Sequence, residues 1–210
     1  MNIINDILEP DCYYHLYNRG INSCTIFNNQ DNYRYFLKQF AKYMIGVVDV
    51  YAYCLMPNHF HFLIKVKSRE ELETFVKGSN FDKSVASLKE HQDGGLHAST
   101  NIVSKQMGKF ISSYSQSFNK VNQRHGALLE SPFKRIRVDS EEYLKNLVIY
   151  IHLNPLDIKM NYEHYPFSSF SSILSKSKSN IMRKEVLTLF EDSDNFKYCH
   201  RYPPKFDFNF

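Results

Sequence analysis

Four stretches of the chain have the apolar, β-branched and aromatic content of β-strands. The second and third flank Pro57 and Asn58, a turn signal, so we predict that they form an antiparallel hairpin. The first ends at a predicted turn at Gly20. The four are YYHLYNR from residue 13, VVDVYAYCLM from residue 47, HFHFLIKV from residue 59 and a short strand around Arg135–Val138.

Three longer stretches are expected to be helices. The first two place apolar residues three and four positions apart, and the third is apolar nearly all round. We expect Asp31 or Asn32 to cap the first helix and Ser140 to cap the third, which Pro155 ends. The three helices are predicted over residues 30–45, about 101–121 and 141–154.

The middle of the chain is less regular. Residues 68–78 are compatible with a short helix, whereas residues 91–100 have the composition of a loop. The second long helix follows, and its periodicity predicts that one face enters the core. Its apolar stripe comprises Val103, Met107, Phe110, Tyr114 and Phe118.

The order strand, helix, strand, strand, helix, strand is that of a ferredoxin-like fold. We therefore predict an α+β protein with a ferredoxin-like (RRM-like) antiparallel sheet and helices on one face. Residues 1–172 are expected to form this domain. Residues 173–210 are expected to form a C-terminal tail with one short helix and an extended segment.

The composition is that of a folded protein, since 210 residues with 43% hydrophobic content can bury a core. A net charge of +4 permits an anionic partner such as nucleic acid without establishing one. The four cysteines include no C-x-x-C pair, which predicts reduced thiols and a cytoplasmic location. We expect neither a signal peptide nor a membrane span, because no apolar run approaches the roughly 20 residues that a span needs.

Two histidines stand one residue apart in the third predicted strand. Side chains alternate along a strand, so His59 and His61 share one face while Phe60, Phe62 and Ile64 point to the other. Two neutral imidazoles on one face can hold a single cation. The alternative is a polar outer face of a half-buried sheet that happens to carry two histidines. The pair by itself leaves both interpretations open.

The third predicted helix supplies candidate partners for the pair. Tyr150 and Asn154 are four residues apart and share a helical face. The alternative is a core tyrosine and an asparagine that caps the helix end. Tyr143, one heptad earlier, is a rival for any role of Tyr150, whereas His152 points away from Tyr150 and is expected to be structural.

Several motifs together resemble one family of DNA-processing enzymes. MPNHFHFLI and YIHLNP, with YHLYNRG, SFNKVNQRHG, SPFKRIRVDSEEYL and YPFSSF in the same order, resemble the HUH single-tyrosine transposases of small insertion sequences, including REP-associated tyrosine transposases. The resemblance spans about residues 13–172. It implies the ferredoxin-like fold, His59, His61 and Asn154 as metal ligands, and Tyr150 as the catalytic nucleophile.

The resemblance also implies an activity. Members of the family cut and rejoin single-stranded DNA beside an imperfect hairpin, through a 5′-phosphotyrosine intermediate, and work as homodimers. The cofactor expected is a divalent metal, Mg²⁺ or Mn²⁺, because an open site without thiolate ligands suits these ions better than structural zinc. We therefore expect a single-strand DNA endonuclease and strand transferase.

Basic residues near the predicted nucleophile are candidates for contacts with DNA phosphates. Arg124, Lys134, Arg135 and Arg137 precede the third long helix, and Arg19 follows the first strand. The alternative for the cluster is a solvated loop.

Two other functions remain open at the level of sequence. One is a catalytically silent, domesticated nucleic-acid-binding relative on the same scaffold. The other is a structural metal site in a protein unrelated to nucleic acid, which a chelator would unfold.

Overall fold

The computed structural model describes residues 7–78 and 95–205, and no side chains are described for residues 95–101. Its sheet has four strands in the order β2-β3-β1-β4, and every neighbouring pair is antiparallel. This is the strand order of the predicted ferredoxin-like fold, and the α+β class is confirmed. The strands are β1 (Tyr13–Arg19), β2 (Val48–Met56), β3 (His59–Val66) and β4 (Lys134–Val138).

Seven α-helices lie in the described part of the chain. Ser140 caps the helix after β4, as predicted, by accepting a hydrogen bond from the Tyr143 amide. The first helix is capped instead by Asn29, which accepts from the Asn32 amide at 3.0 Å, so the prediction of Asp31 or Asn32 was wrong by two or three residues. The helices are α1 (Gln30–Met44), α2 (Arg69–Gly78), α3 (Gly95–Val121), α4 (Glu141–Leu153), α5 (Phe170–Leu174), α6 (Arg183–Leu189) and α7 (Ser193–Arg201).

Helix α3 begins at Gly95, so the loop predicted for residues 91–100 is wrong from residue 95 onward, and residues 91–94 lie outside the described residues. The glycine pair at 94 and 95 suggested a loop, but glycine is tolerated at a helix start. No glycine or proline interrupts residues 96–100.

Helices α1 and α3 cover one face of the sheet and also pack against each other. Phe40 of α1 stacks on Phe62 of β3 with ring centroids 4.0 Å apart, and Phe36 meets Phe110 of α3 edge-on at 4.8 Å. These are the two crossover helices of the predicted fold, and they lie on a single face as expected. The whole apolar stripe predicted for α3 is buried, namely Val103, Met107, Phe110, Tyr114 and Phe118.

Helix α4 covers the opposite face, which the prediction of helices on one face did not include. Its buried Leu147, Val148 and Ile151 join a second core cluster with Cys54 of β2 and Leu63 of β3. The helix is apolar nearly all round because the sheet lies on one side of it and the C-terminal segment on the other.

The C-terminal segment contains two helices, α6 and α7, where the sequence predicted one. Asp192 caps α7 by accepting from two backbone amides at 2.8 Å, a local signal that the prediction overlooked. Val186, Phe190 and Phe196 are fully buried in the second cluster, which also contains the apolar residues of α4. The domain boundary at residue 172 stays a prediction. None of the described helices combines the length and the apolar character needed to cross a bilayer.

A buried chain of hydrogen bonds links α7, α4 and β2. His200 Nδ1 lies 2.7 Å from the carbonyl of Phe196 and must donate to it, so the neutral ring accepts at Nε2. His152 Nδ1, 2.8 Å away, therefore donates to His200, and His152 Nε2 accepts from the hydroxyl of Ser169 at 2.8 Å. The amide of Tyr53 donates to the same hydroxyl oxygen at 2.8 Å. The donor and the acceptor of each hydrogen bond in this chain are therefore fixed. His152 is a structural residue, as predicted.

We expect acid to destabilise this fold. Burial lowers the pKa of His15 to about 3 and of His200 to about 4, and those of His61 and His152 fall well below the usual value. The unfolded chain takes up these protons near pH 6.5, so stability is full above that pH and falls as the pH drops below it. For each buried imidazole, the free energy of unfolding should fall by roughly 2 kcal/mol between pH 7 and pH 5.

Urea unfolding at pH 7 and pH 5 measures this loss. The matched control is His164→Gln, which removes an exposed imidazole and should leave the difference between the two pH values unchanged. Equal stability of the wild-type protein at both pH values would contradict the buried, neutral state of these histidines.

Candidate active site

The two histidines of β3 lie on the face of the sheet that α4 covers. Their ring centroids are 5.1 Å apart and the ring planes stand at 88°. Strand β3 is central, and in the neighbouring β1 Tyr17 is paired with His61 and Arg19 with His59. The prediction that the two histidines share one face is confirmed. Strand β3 is held in place by hydrogen bonds to β1 and β2 on its two sides.

His59 has its two ring nitrogens in different environments. Nδ1 lies 2.7 Å from the side-chain oxygen of Asn58, an acceptor, so this nitrogen carries the hydrogen in the neutral ring. Nε2 then has a lone pair, and it faces Oδ1 of Asn154 at 3.4 Å. The turn residue Asn58 thereby sets which nitrogen of His59 can bind a ligand.

Asn154 directly follows the last residue of α4 and is 4% exposed. Its Nδ2 donates to the backbone carbonyl of Tyr150 at 2.9 Å, which turns Oδ1 toward the histidines. The amide oxygen and His59 Nε2 are therefore two acceptors that face each other. A cation between them makes such an arrangement favourable, because neither atom has a hydrogen to donate.

His61 is 5% exposed, and its Nδ1 lies 2.8 Å from Nε2 of His15, a fully buried residue of β1. Sequence reasoning missed His15. The sequence does contain a signal for His15. It lies two residues before Tyr17, so both side chains point to the same face of β1, and Tyr17 is paired with His61 of β3. With Nδ1 engaged, His61 has Nε2 as its candidate ligand atom.

These residues fit a divalent metal. Within the described ranges no three His, Cys, Asp or Glu side chains are grouped as metal ligands, so the third ligand would be the amide oxygen of Asn154. Burial lowers the pKa of His59 and lowers that of His61 further, which keeps both rings neutral as metal ligation requires. Two ligands each about 2.1 Å from one ion lie about 3.0–3.5 Å apart, in agreement with the separation of 3.4 Å between His59 and Asn154.

Tyr150 is half-buried at the same place. Its ring meets that of His61 edge-on, with centroids 5.7 Å apart, and that of His15 at 6.5 Å. Burial, and then the negative charge of Asp157, raise the pKa of the Tyr150 phenol, so the phenol is protonated at neutral pH. The rival Tyr143 lies two turns earlier, near the Ser140 cap of α4.

The candidate phosphate-binding residues form two groups, of which the first lies near the histidines. Arg19 is exposed at the end of β1 beside His59. Burial is the main cause of the lowered pKa of His59, and the positive charge of Arg19 lowers it further. Lys134 of β4 lies over the ring of Tyr17 at 5.8 Å from the centroid and forms an ion pair with Glu130 at 3.2 Å. Both cations are thus at the rim of the histidine site.

The other three cations have further structural contacts. Arg135 lies over the ring of Phe133 at 5.0 Å. Arg137 forms ion pairs with Glu9 and, at 2.9 Å, with Asp139. Arg124 donates to Asn119 Oδ1 and to the carbonyl of Ala127 at 3.0 and 2.8 Å, which closes the loop after α3.

The family model for the IS200-like transposases matches residues 9–101. The match includes β1 and the hairpin with His59 and His61, and it ends before α4. The family resemblance inferred from the motifs is confirmed. No curated protein matches the chain significantly.

A solved structure agrees with the fold of this chain. A REP-associated tyrosine transposase, solved bound to a REP hairpin, aligns with a TM-score of 0.51 over 84% of this chain and 87% of the other. The two sequences are 13% identical, so the likeness is one of fold. It extends well beyond the residues that the family model matches.

Metal binding can be tested at Asn154. Asn154→Leu removes the amide oxygen, and we expect Mn²⁺ to bind 10- to 100-fold more weakly, as measured by electron paramagnetic resonance of free Mn²⁺. Asn154→Asp keeps an oxygen ligand and should bind Mn²⁺ at least as tightly as the wild type. Equal affinity of the leucine variant would exclude Asn154 as a ligand.

Proposed function

We propose that this chain is a metal-dependent DNA transposase that cuts and rejoins single-stranded DNA through a 5′-phosphotyrosine intermediate. The observation that carries the proposal is the convergence of four groups at one point of the sheet. They are His59 Nε2 and Asn154 Oδ1 at 3.4 Å, with the rings of His61 and Tyr150 beside them. The family match to IS200-like transposases supports the same activity.

The metal would be held by His59, His61 and the amide oxygen of Asn154. Mg²⁺ or Mn²⁺ bound there would polarise the scissile phosphate and stabilise the charge that develops on it. Such help is needed because the protonated phenol of Tyr150 is a weak nucleophile at neutral pH.

The covalent step exchanges one phosphodiester for another. The Tyr150 phenol oxygen forms a bond to phosphorus while the bond from phosphorus to the 3′ oxygen breaks. The phenol loses a proton and the departing 3′ oxygen gains one, so no proton is consumed overall. The 5′-phosphotyrosine retains the energy of the broken bond, and a free 3′-OH can reverse the step without ATP.

The substrate that we propose is single-stranded DNA beside a hairpin, cut by a homodimer. The solved transposase of similar fold carries a REP hairpin, which supports a hairpin-containing partner. The exposed Arg19 at the site is suited to a phosphate, and Lys134, Arg135, Arg137 and Arg124 are the further candidates. Four free cysteines are compatible with the reducing cytoplasm.

The nucleophile can be identified by a covalent adduct. Wild-type protein is mixed with end-labelled single-stranded DNA from the flanks of its own gene, with Mn²⁺, and run on a denaturing gel. We expect a labelled protein–DNA band that Tyr150→Phe abolishes, because the variant lacks the attacking oxygen. Tyr143→Phe, on the same helix, is the matched control and should retain the band.

Other outcomes separate the alternatives. An adduct that persists in Tyr150→Phe and disappears in Tyr143→Phe would reassign the nucleophile. Clear DNA binding by the wild type without any adduct, with either Mg²⁺ or Mn²⁺, would indicate the catalytically silent nucleic-acid-binding relative.

The salt dependence of DNA binding tests the cations at the rim. Each phosphate contact contributes about 0.7 to the slope of log affinity against log salt for single strands. We expect Arg19→Gln and Lys134→Gln each to reduce the slope by about that amount in filter-binding titrations. Arg34→Gln is the control, because Arg34 is on α1 and pairs with Asp31. Unchanged slopes in both test variants would remove these two cations from the interface.

A further inference from the structure

His15 and His61 form a buried pair with nearly parallel rings on the face of the sheet that α4 covers. Their ring planes differ by 18° and their centroids are 5.0 Å apart, while His15 Nε2 lies 2.8 Å from His61 Nδ1. Both residues are buried, at 0% and 5% exposure. Such a contact contains one hydrogen, carried either by His15 or by His61.

The position of that hydrogen decides whether His61 can bind a metal. If His15 Nε2 carries it, His61 accepts at Nδ1, and a neutral His61 then has its own hydrogen on Nε2 and no lone pair for a metal. If His61 Nδ1 carries it, His15 accepts and His61 Nε2 has a free lone pair. Only the second arrangement makes His61 a ligand.

The neighbouring ligand is held in the same way. His59 donates its Nδ1 hydrogen to the side-chain oxygen of Asn58 at 2.7 Å and presents Nε2 to Asn154. Ligating histidines generally donate their second nitrogen to such an acceptor, which fixes both tautomer and ring orientation.

We infer that His15 is a positioning residue of the active site, which accepts the Nδ1 hydrogen of His61 and thereby presents His61 Nε2 to the divalent metal. This inference rests on the proposed function, and it assigns a role to a residue outside the expected set of ligands and nucleophile. An imidazole is suited to the role because it accepts a hydrogen bond without adding negative charge to the site.

The test compares two substitutions at one buried position. His15→Gln can keep an acceptor oxygen near the place of Nε2, whereas His15→Leu fills similar space without one. Mn²⁺ alone is the probe, titrated by electron paramagnetic resonance. We expect 10- to 100-fold weaker binding in the leucine variant and a change of only a few-fold in the glutamine variant. His200→Gln, which changes a buried imidazole outside this site, should bind Mn²⁺ like the wild type.

A second readout needs no metal. Nitrogen-15 NMR of the imidazoles reports which nitrogen of His61 carries hydrogen in the wild-type protein. We expect Nδ1, and a hydrogen on Nε2 would overturn the inference even if the leucine variant failed to fold. Adduct formation by the leucine variant should also recover at saturating Mn²⁺, since only the metal affinity is impaired.

The outcomes separate this inference from the proposed function. A wild type that binds no Mn²⁺ would count against the proposed metal-dependent activity. A wild type that binds Mn²⁺, together with a folded leucine variant of equal affinity, would count against the role of His15 alone.

Discussion

The packing of α4 on the second face of the sheet is the constraint on which the site depends. Leu147, Val148 and Ile151 are buried against β2 and β3, and each buried aliphatic side chain contributes roughly 2 kcal/mol. These contacts fix the rotation of the helix about its axis. Tyr150 and Asn154 consequently lie beside the histidines, because they occupy the adjoining part of the helix surface.

Each polar group of the site is held by a group outside the proposed ligand set rather than by another ligand. A backbone carbonyl holds the amide of Asn154, Asn58 holds His59, and His15 lies against His61. The atoms that remain, two imidazole nitrogens and one amide oxygen, are suited to accept rather than donate. Such an arrangement would be preorganised for the proposed cation, because little reorganisation would be needed on binding.

Local features of the fold could be predicted because interactions between residues close together in the chain determine them. Residue content and turn signals identified the strands, and alternation placed the two histidines on one face. The Ser140 cap was predicted from its position before the apolar helix. Errors occurred where several local signals compete, as at the Asn29 cap and at the start of α3. Helix α7 was overlooked because its apolar residues are few, and Phe196 becomes buried only in the packed second cluster.

The sequence by itself determined the period of each strand and helix, the class of the fold and the motifs that carry the family resemblance, since these depend on residues close together along the chain. Only the tertiary structure decided that α4 lies opposite the crossover helices and that His15 meets His61, 46 residues away. Side-chain packing between distant segments sets such contacts, and no spacing along the chain records them.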